Sequence, residues 1–425
     1  MLVAVDHSYP LRTTTTSNGI KVVVNPDPWM SGVAVNLWYD VGSVHEQAGK
    51  TGFAHLFEHL MFSGSAHVAS GEHLGVLQNI GGNANATTSF DRTNYFETVP
   101  RGGLELALWL EADRLSSLLD SVDQTNLDTQ REVVKEEKRQ RYDNVPYGNA
   151  FPELMKLSFP LGHPYAHMPI GSMADLDQAT LADVHDFFHR HYSPDNLILT
   201  LSGDIQPDEG FALVETYFHD IAPAGPTPAP DLDPLSGLTG IPRLELTADV
   251  PQDVVYCSWI VPPVAADEAD PLSVGLSILS GSMTSRLHEQ LVRTNLADSV
   301  DAFDLGLKHA NSLVVATAAC AGSTSPEVVE AAMMTTWEQF CAEGPRADEL
   351  DRAKKAETRQ FLADLASIDD RADHISASWS LFGDPAEINR HLDVINALTA
   401  EDINRVFTTW MTPSQRAVLT YRSAQ

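Results

Sequence analysis

The chain has 425 residues, with 27 Lys and Arg against 58 Asp and Glu, for a formal charge of −31 at pH 7. That length exceeds one ordinary domain and suffices for two with full cores, while the acidic surplus and the lack of any basic stripe exclude nucleic acid and anionic membrane as partners. No apolar run approaches the roughly 18 residues of a membrane span, and no charged-then-apolar leader opens the chain, so the expectation is a soluble, cytoplasmic protein. Cys257, Cys320 and Cys341 are odd in number and lack metal-ligand spacing, and they are expected as thiols in the interior.

In chain order, the Thr-rich run from Thr14 and the Val-rich run that follows read as two strands about a Ser17-Asn18-Gly19 turn, because Asn-Gly favours tight hairpins. A further strand is predicted over 33–39, leading through Gly42 and Ser43 to the segment 52–62. There Phe53, Leu56, Phe57, Leu60 and Met61 recur at helical spacing and would bury one face. His55 and His59, four apart, stand one turn above each other and can present their imidazoles to one ion, with Glu58 beside them. Catalytic zinc needs about three protein ligands, an open position for water and a carboxylate to take the water's proton. His55-x-x-Glu58-His59 is an inverted form of the commoner zinc motif and provides two ligands and the base.

A helix over 72–80 should stop at Gly81-Gly82, and 85–88 and 94–98 should pair as strands. Helices follow over 104–119 and 124–141, the second broken at Asn144-Val145-Pro146-Tyr147-Gly148. The polar stretch from Gln130 to Glu137 lies in that second helix, and a third metal ligand is sought there. Thr180 to Pro194 is echoed without gaps by Thr399 to Pro413, about half the chain later, and each copy ends before a Pro and leads into an apolar strand. The fold class expected is therefore α+β, as two homologous α+β halves of antiparallel-rich sheet with helices. The boundaries are 1–221, a Pro-rich linker over 222–236, and 237–425. The second half has no His-x-x-Glu-His.

The motif helix, the Val133-Val134-Lys135-Glu136-Glu137 segment, and Gly81 to Thr88 followed by Asp91, Thr93 and Tyr95 together resemble the pitrilysin, insulysin and mitochondrial processing peptidase family. The resemblance implies a zinc endopeptidase with one Zn2+ per chain, in which Glu137 joins His55 and His59 as the third ligand and Glu58 is the catalytic base. It makes Asn85, Ala86, Thr87 and Thr88 an edge strand to which an extended peptide substrate would add. It places Gln130 where members often carry Glu, as an orienting residue behind the ligands. It also implies a catalytically silent second half that helps close a chamber admitting short or unfolded peptides. One departure stands out: Asp298 occupies the position of a substrate-contacting Tyr, and Arg293 is out of step with the family's Arg. The assembly expected is a homodimer, or a heterodimer with a homologous chain that supplies Arg and Tyr. The alternative is a non-catalytic assembly subunit of the same fold.

Overall fold

Strands form where β-branched and aromatic residues cluster, and they gather into two sheets. The computed structural model describes residues 8–225 and 227–424, so Pro226 of the expected linker lies outside the described residues. The first sheet holds β1 (Arg12–Thr15), β2 (Lys21–Pro26), β3 (Gly32–Tyr39), β4 (Asn83–Thr88), β5 (Thr93–Pro100) and β6 (Leu197–Gly203). The second holds β7 (Arg243–Ala248), β8 (Val254–Val261), β9 (Ala297–Asp304), β10 (Ser312–Cys320) and β11 (Ala417–Ser423). Their orders are β1-β2-β6-β3-β5-β4 and β7-β11-β8-β10-β9. Within each sheet one pair is parallel, β2 with β6 and β7 with β11, and every later neighbour is antiparallel. Without β1, the two sheets have one topology twice over.

The echoed segments fold alike in detail. Thr180 and Thr399 each accept at the hydroxyl from the backbone N–H of Asp183 and Asp402, whose carboxylates return the bond to the Thr amides. These reciprocal caps start the helices Leu181–His191 and Ala400–Trp410. Each helix ends before a Pro-led turn that delivers β6 or β11.

The compact units follow the repeat only in part. One unit takes in residues up to Glu137, Pro169–Pro230 and Leu362–His391, and the other takes in Lys138–Met168, Asp231–Phe361 and the chain from Leu392. The chain thus passes between units inside the expected linker, at Pro230 and Asp231, and at four further places. The reason lies on β3, which is buried on both faces. Val33, Val35, Leu37 and Tyr39 turn one way, while Ala34, Asn36 and Trp38 turn the other. Asn36 shares its face with Asn94 and Thr200, and such a polar face needs hydrogen-bonding cover. The helix Ile368–Phe382 provides it: Asp373 accepts from Asn94 Nδ2 at 2.7 Å, and Ser376 bonds Thr200 at 2.8 Å. Arg371 donates to Asp27 at 2.9 Å and to the Leu365 carbonyl at 3.0 Å.

In the other unit, Trp259 of β8 stacks on Trp337 with centroids 4.5 Å apart, in a core that includes Phe340 and Phe407. Cys257 and Cys320 are buried, Cys341 is half-buried, and all three are free thiols. Among the described residues no helix is long and apolar enough to cross a membrane. Since Arg371 is 4% exposed and Asp27 depends on it, Arg371→Met should lower stability by roughly 3 kcal/mol, read from urea unfolding followed by circular dichroism. An unchanged midpoint would show that the helix holds to the sheet without this ion pair.

Candidate metal centre

The segment expected as the motif helix forms Phe53–Leu60, and it buries Phe53, Ala54, Leu56, Phe57 and Leu60. Its start is constrained from outside, because Gly52 at the N-cap has no side chain to accept the free amides of the first turn. Glu46 does so instead, with one carboxylate oxygen 3.0 Å from the Gly52 N–H and the other 2.8 Å from that of Ala54. A negative charge there also suits the positive end of the helix dipole. Gly52 is irreplaceable on two counts: its φ is +88°, and a Cβ would stand 2.8 Å from the Ile170 carbonyl. Thr51 is latched to Asp175 through its amide at 3.0 Å and its hydroxyl at 2.6 Å. The buried face meets the helix Leu181–His191, where Phe57 lies 5.5 Å from Phe187 and 4.5 Å from Tyr192 between ring centroids.

Glu137 comes from the helix Gln124–Lys138, which ends in a π-turn, Arg139–Asp143. Arg131 holds that helix in place by donating to the carbonyls of Leu176 at 2.8 Å and Ala179 at 2.7 Å. Together these supports bring three expected residues to one point. Glu137 Oε2 lies 3.6 Å from His55 Nε2 and 3.4 Å from His59 Nε2, and all three ligand atoms fall within 4.8 Å of one another. With zinc bonds of about 2.0–2.1 Å, the donors of a tetrahedral site stand about 3.3 Å apart. The carboxylate's separation from each imidazole is close to that value, and the donor types suit zinc.

Glu58 projects beside this cluster, and its Oε2 accepts from the Thr88 hydroxyl at 2.5 Å. Burial raises its carboxyl above the usual range, while the Thr88 hydrogen bond and neighbouring His59 oppose that rise. Gln130 lies on the helix two turns before Glu137, half-buried, with no hydrogen bond to the three clustered residues among those described. Asp298 is exposed on β9, and Arg293 is exposed and paired with Glu289 at 2.7 Å.

The strand β4 is the open edge of the first sheet. The Ser89 N–H donates to the Arg92 carbonyl at 2.8 Å, so alternation makes Thr87 and Asn94, then Asn85 and Phe96, the pairs that exchange bonds. Ala84, Ala86 and Thr88 consequently turn their backbone groups to the open edge. The Asn85 side chain already touches that edge, with Oδ1 2.9 Å from the Ala86 N–H.

The sequence reading missed Glu46, and the signal was available: a glycine at the start of a short apolar helix requires an acceptor from elsewhere. It also missed Arg92, which donates to the Thr87 carbonyl at 2.9 Å and to Asn94 Oδ1 at 3.0 Å, bracing the edge hairpin.

Residues 21–156 match the family Insulinase (Peptidase family M16), and residues 178–357 match Peptidase M16 inactive domain. The first match contains His55, Glu58, His59 and Glu137, and the second contains none of them. The zinc protease PqqE of Helicobacter pylori is 29% identical over 372 residues, covering 85% of this chain and 81% of that protein. A probable mitochondrial-processing peptidase subunit beta of Schizosaccharomyces pombe is 27% identical over 213 residues, covering 50% of this chain and 46% of its own. The crystal structure of a protease from Helicobacter pylori superposes with a TM-score of 0.91 at 26% identity, covering 98% of this chain and 100% of that one.

The helix behind the motif carries a titration of its own. His191 is 6% exposed, its Nδ1 has no partner among the described residues, and burial, aided by Arg190, holds its pKa at about 4. Unfolded, it titrates near 6.5, so between those values the unfolded chain binds more protons and stability must fall as the pH drops. Urea titrations from pH 7 to 4 should show that His191→Phe loses up to about 1.4 kcal/mol per pH unit of this slope. Parallel pH profiles for parent and variant would show that His191 keeps an ordinary titration.

Proposed function

This chain belongs to the insulinase family of peptidases, M16, and we propose from that premise and from the centre just described that it is a zinc-dependent endopeptidase acting on short or unfolded peptides. The observation that carries the reading is the convergence of His55, His59 and Glu137, with Glu137 3.4–3.6 Å from both imidazoles and Glu58 alongside. His55, His59 and Glu137 would hold a zinc ion, which would supply Lewis acidity toward water and a peptide carbonyl. With Oε2 held by Thr88, Glu58 can take a proton from the attacking water at Oε1 and pass it to the nitrogen of the leaving amine. The outward backbone groups of Ala84, Ala86 and Thr88 can pair with an extended peptide, which gives affinity without reading side chains. A non-catalytic assembly role is disfavoured, since the ligand positions and the base are all present and assembled.

The test separates ligand from base. Glu58→Gln should keep about one zinc per chain by elemental analysis and lose roughly 100-fold to 10,000-fold in cleavage of an unstructured polypeptide. Glu137→Gln should lose zinc as well as activity. Undiminished cleavage by Glu58→Gln would remove Glu58 as base, and chelator-resistant cleavage would remove zinc from the reaction.

The same reading extends to assembly. Asp298 has no hydrogen to offer an oxyanion when ionised, and Arg293 is engaged by Glu289. A relative whose name makes it a subunit supports the inference that this chain pairs with a homologous chain bearing Arg and Tyr. Losing one oxyanion donor costs about 100-fold to 1,000-fold, so the chain alone should be a weak peptidase that gains on mixing with such a partner. Full activity of the isolated chain, with light scattering reporting a homodimer, would overturn the pairing and leave the zinc site standing.

A further inference from the structure

We propose that Thr88 is a positioning residue that fixes the catalytic base in the same frame as the bound peptide, an inference that rests on the zinc-peptidase reading above. Thr88 ends β4 opposite Thr93, in a pair that does not exchange backbone bonds, so its own N–H and carbonyl face the open edge. Its hydroxyl points elsewhere and donates to Glu58 Oε2. One residue therefore offers its backbone to an incoming strand and its side chain to the carboxylate that must move a proton.

The surroundings make this hydroxyl directional. Thr93 Oγ1 lies 3.4 Å from Thr88 Oγ1 and donates to the Val41 carbonyl at 2.9 Å, so it braces the Thr88 side chain from within the sheet. A β-branched residue in a strand has few side-chain rotamers, which limits where the Thr88 hydroxyl can go. The position of β4 is fixed in turn by Arg92, through the Thr87 carbonyl. A peptide that registers against Thr88 is thereby registered against Glu58. Misplacement by about 1 Å in such an arrangement can cost on the order of 100-fold in rate.

Thr88→Val and Thr88→Ser separate this role from a strand-forming one. Valine keeps the β-branched shape and removes only the hydroxyl, while serine keeps the hydroxyl. Thr88→Val should retain zinc content and melting temperature, lower kcat by about 10-fold to 100-fold and leave KM within about twofold. Thr88→Ser should recover kcat to within about threefold of the parent. Crystal structures of the metal-free variants give a readout independent of turnover: the Glu58 carboxylate should leave its parent position in Thr88→Val and keep it in Thr88→Ser. An unchanged kcat in Thr88→Val, a rise in KM alone, or equal impairment of both variants would overturn the proposal. If the parent chain shows no zinc-dependent cleavage, the peptidase reading fails on its own account. The two crystal structures then decide by themselves whether Thr88 holds Glu58, and an unmoved carboxylate in Thr88→Val counts against it.

Discussion

The carboxylate of Glu46 across the first turn of Phe53–Leu60 is the contact on which the rest of the site depends. An isolated helix of eight residues is unstable in water, because nucleation costs more than so few bonds return. This helix begins at a glycine in the left-handed region, so it has no side chain of its own at the cap. Outside contacts must therefore set where it starts, and Glu46, the Thr51 and Asp175 latch and the close approach of Gly52 to Gly171 all act within its first turn. A start one residue later would rotate His55 and His59 by about 100° and turn them away from Glu137.

Much of this was legible from residue spacing. The four-residue interval between His55 and His59, the apolar stripe beneath them and the echo of Thr180 to Pro194 in Thr399 to Pro413 are local patterns, and the structure realises each as a local element. Glu137 was harder, since periodicity alone does not choose among Glu132, Glu136 and Glu137; resemblance chose, and the fold brings that residue to the two histidines. What spacing could not show was which surface covers which. Asn36, Asn94 and Thr200 put polar groups on one face of the sheet, and Ile368–Phe382 covers them from far along the chain. Pairings of that kind depend on polar complementarity between distant segments, and hydrophobic periodicity carries no trace of them.

The edge strand shows how a polar sequence serves a role that an apolar one would spoil. A long apolar edge invites pairing with other copies of the chain. In β4, Asn83, Asn85 and Thr87 are exposed, and the Asn85 side chain sits on the Ala86 amide. That contact is a single hydrogen bond from an exposed side chain, which a peptide carbonyl can replace at small net cost. The edge stays open while discouraging a permanent neighbour.

The duplicated half explains by contrast why, among the described residues, only the first copy gathers two histidines and a glutamate on its front helix and the neighbouring one. Ala269–Ser280 packs on Ala400–Trp410, as Phe53–Leu60 packs on Leu181–His191. Phe407 matches Phe188 in the echoed segments, and both rings face the helix in front of them. The difference lies in those front helices. Phe53–Leu60 is buried on one side and half-exposed at His55, Glu58 and His59. Ala269–Ser280 instead buries Pro271, Leu272, Val274, Gly275, Leu276, Ile278 and Leu279, which leaves little polar face. Gly275 admits Phe407 so closely that a Cβ would stand 2.1 Å from its ring. A helix packed that tightly on nearly all sides cannot present two imidazoles and a carboxylate to solvent without losing its core contacts. One copy of the scaffold therefore keeps a helix edge free for chemistry, and the other has committed the equivalent edge to packing.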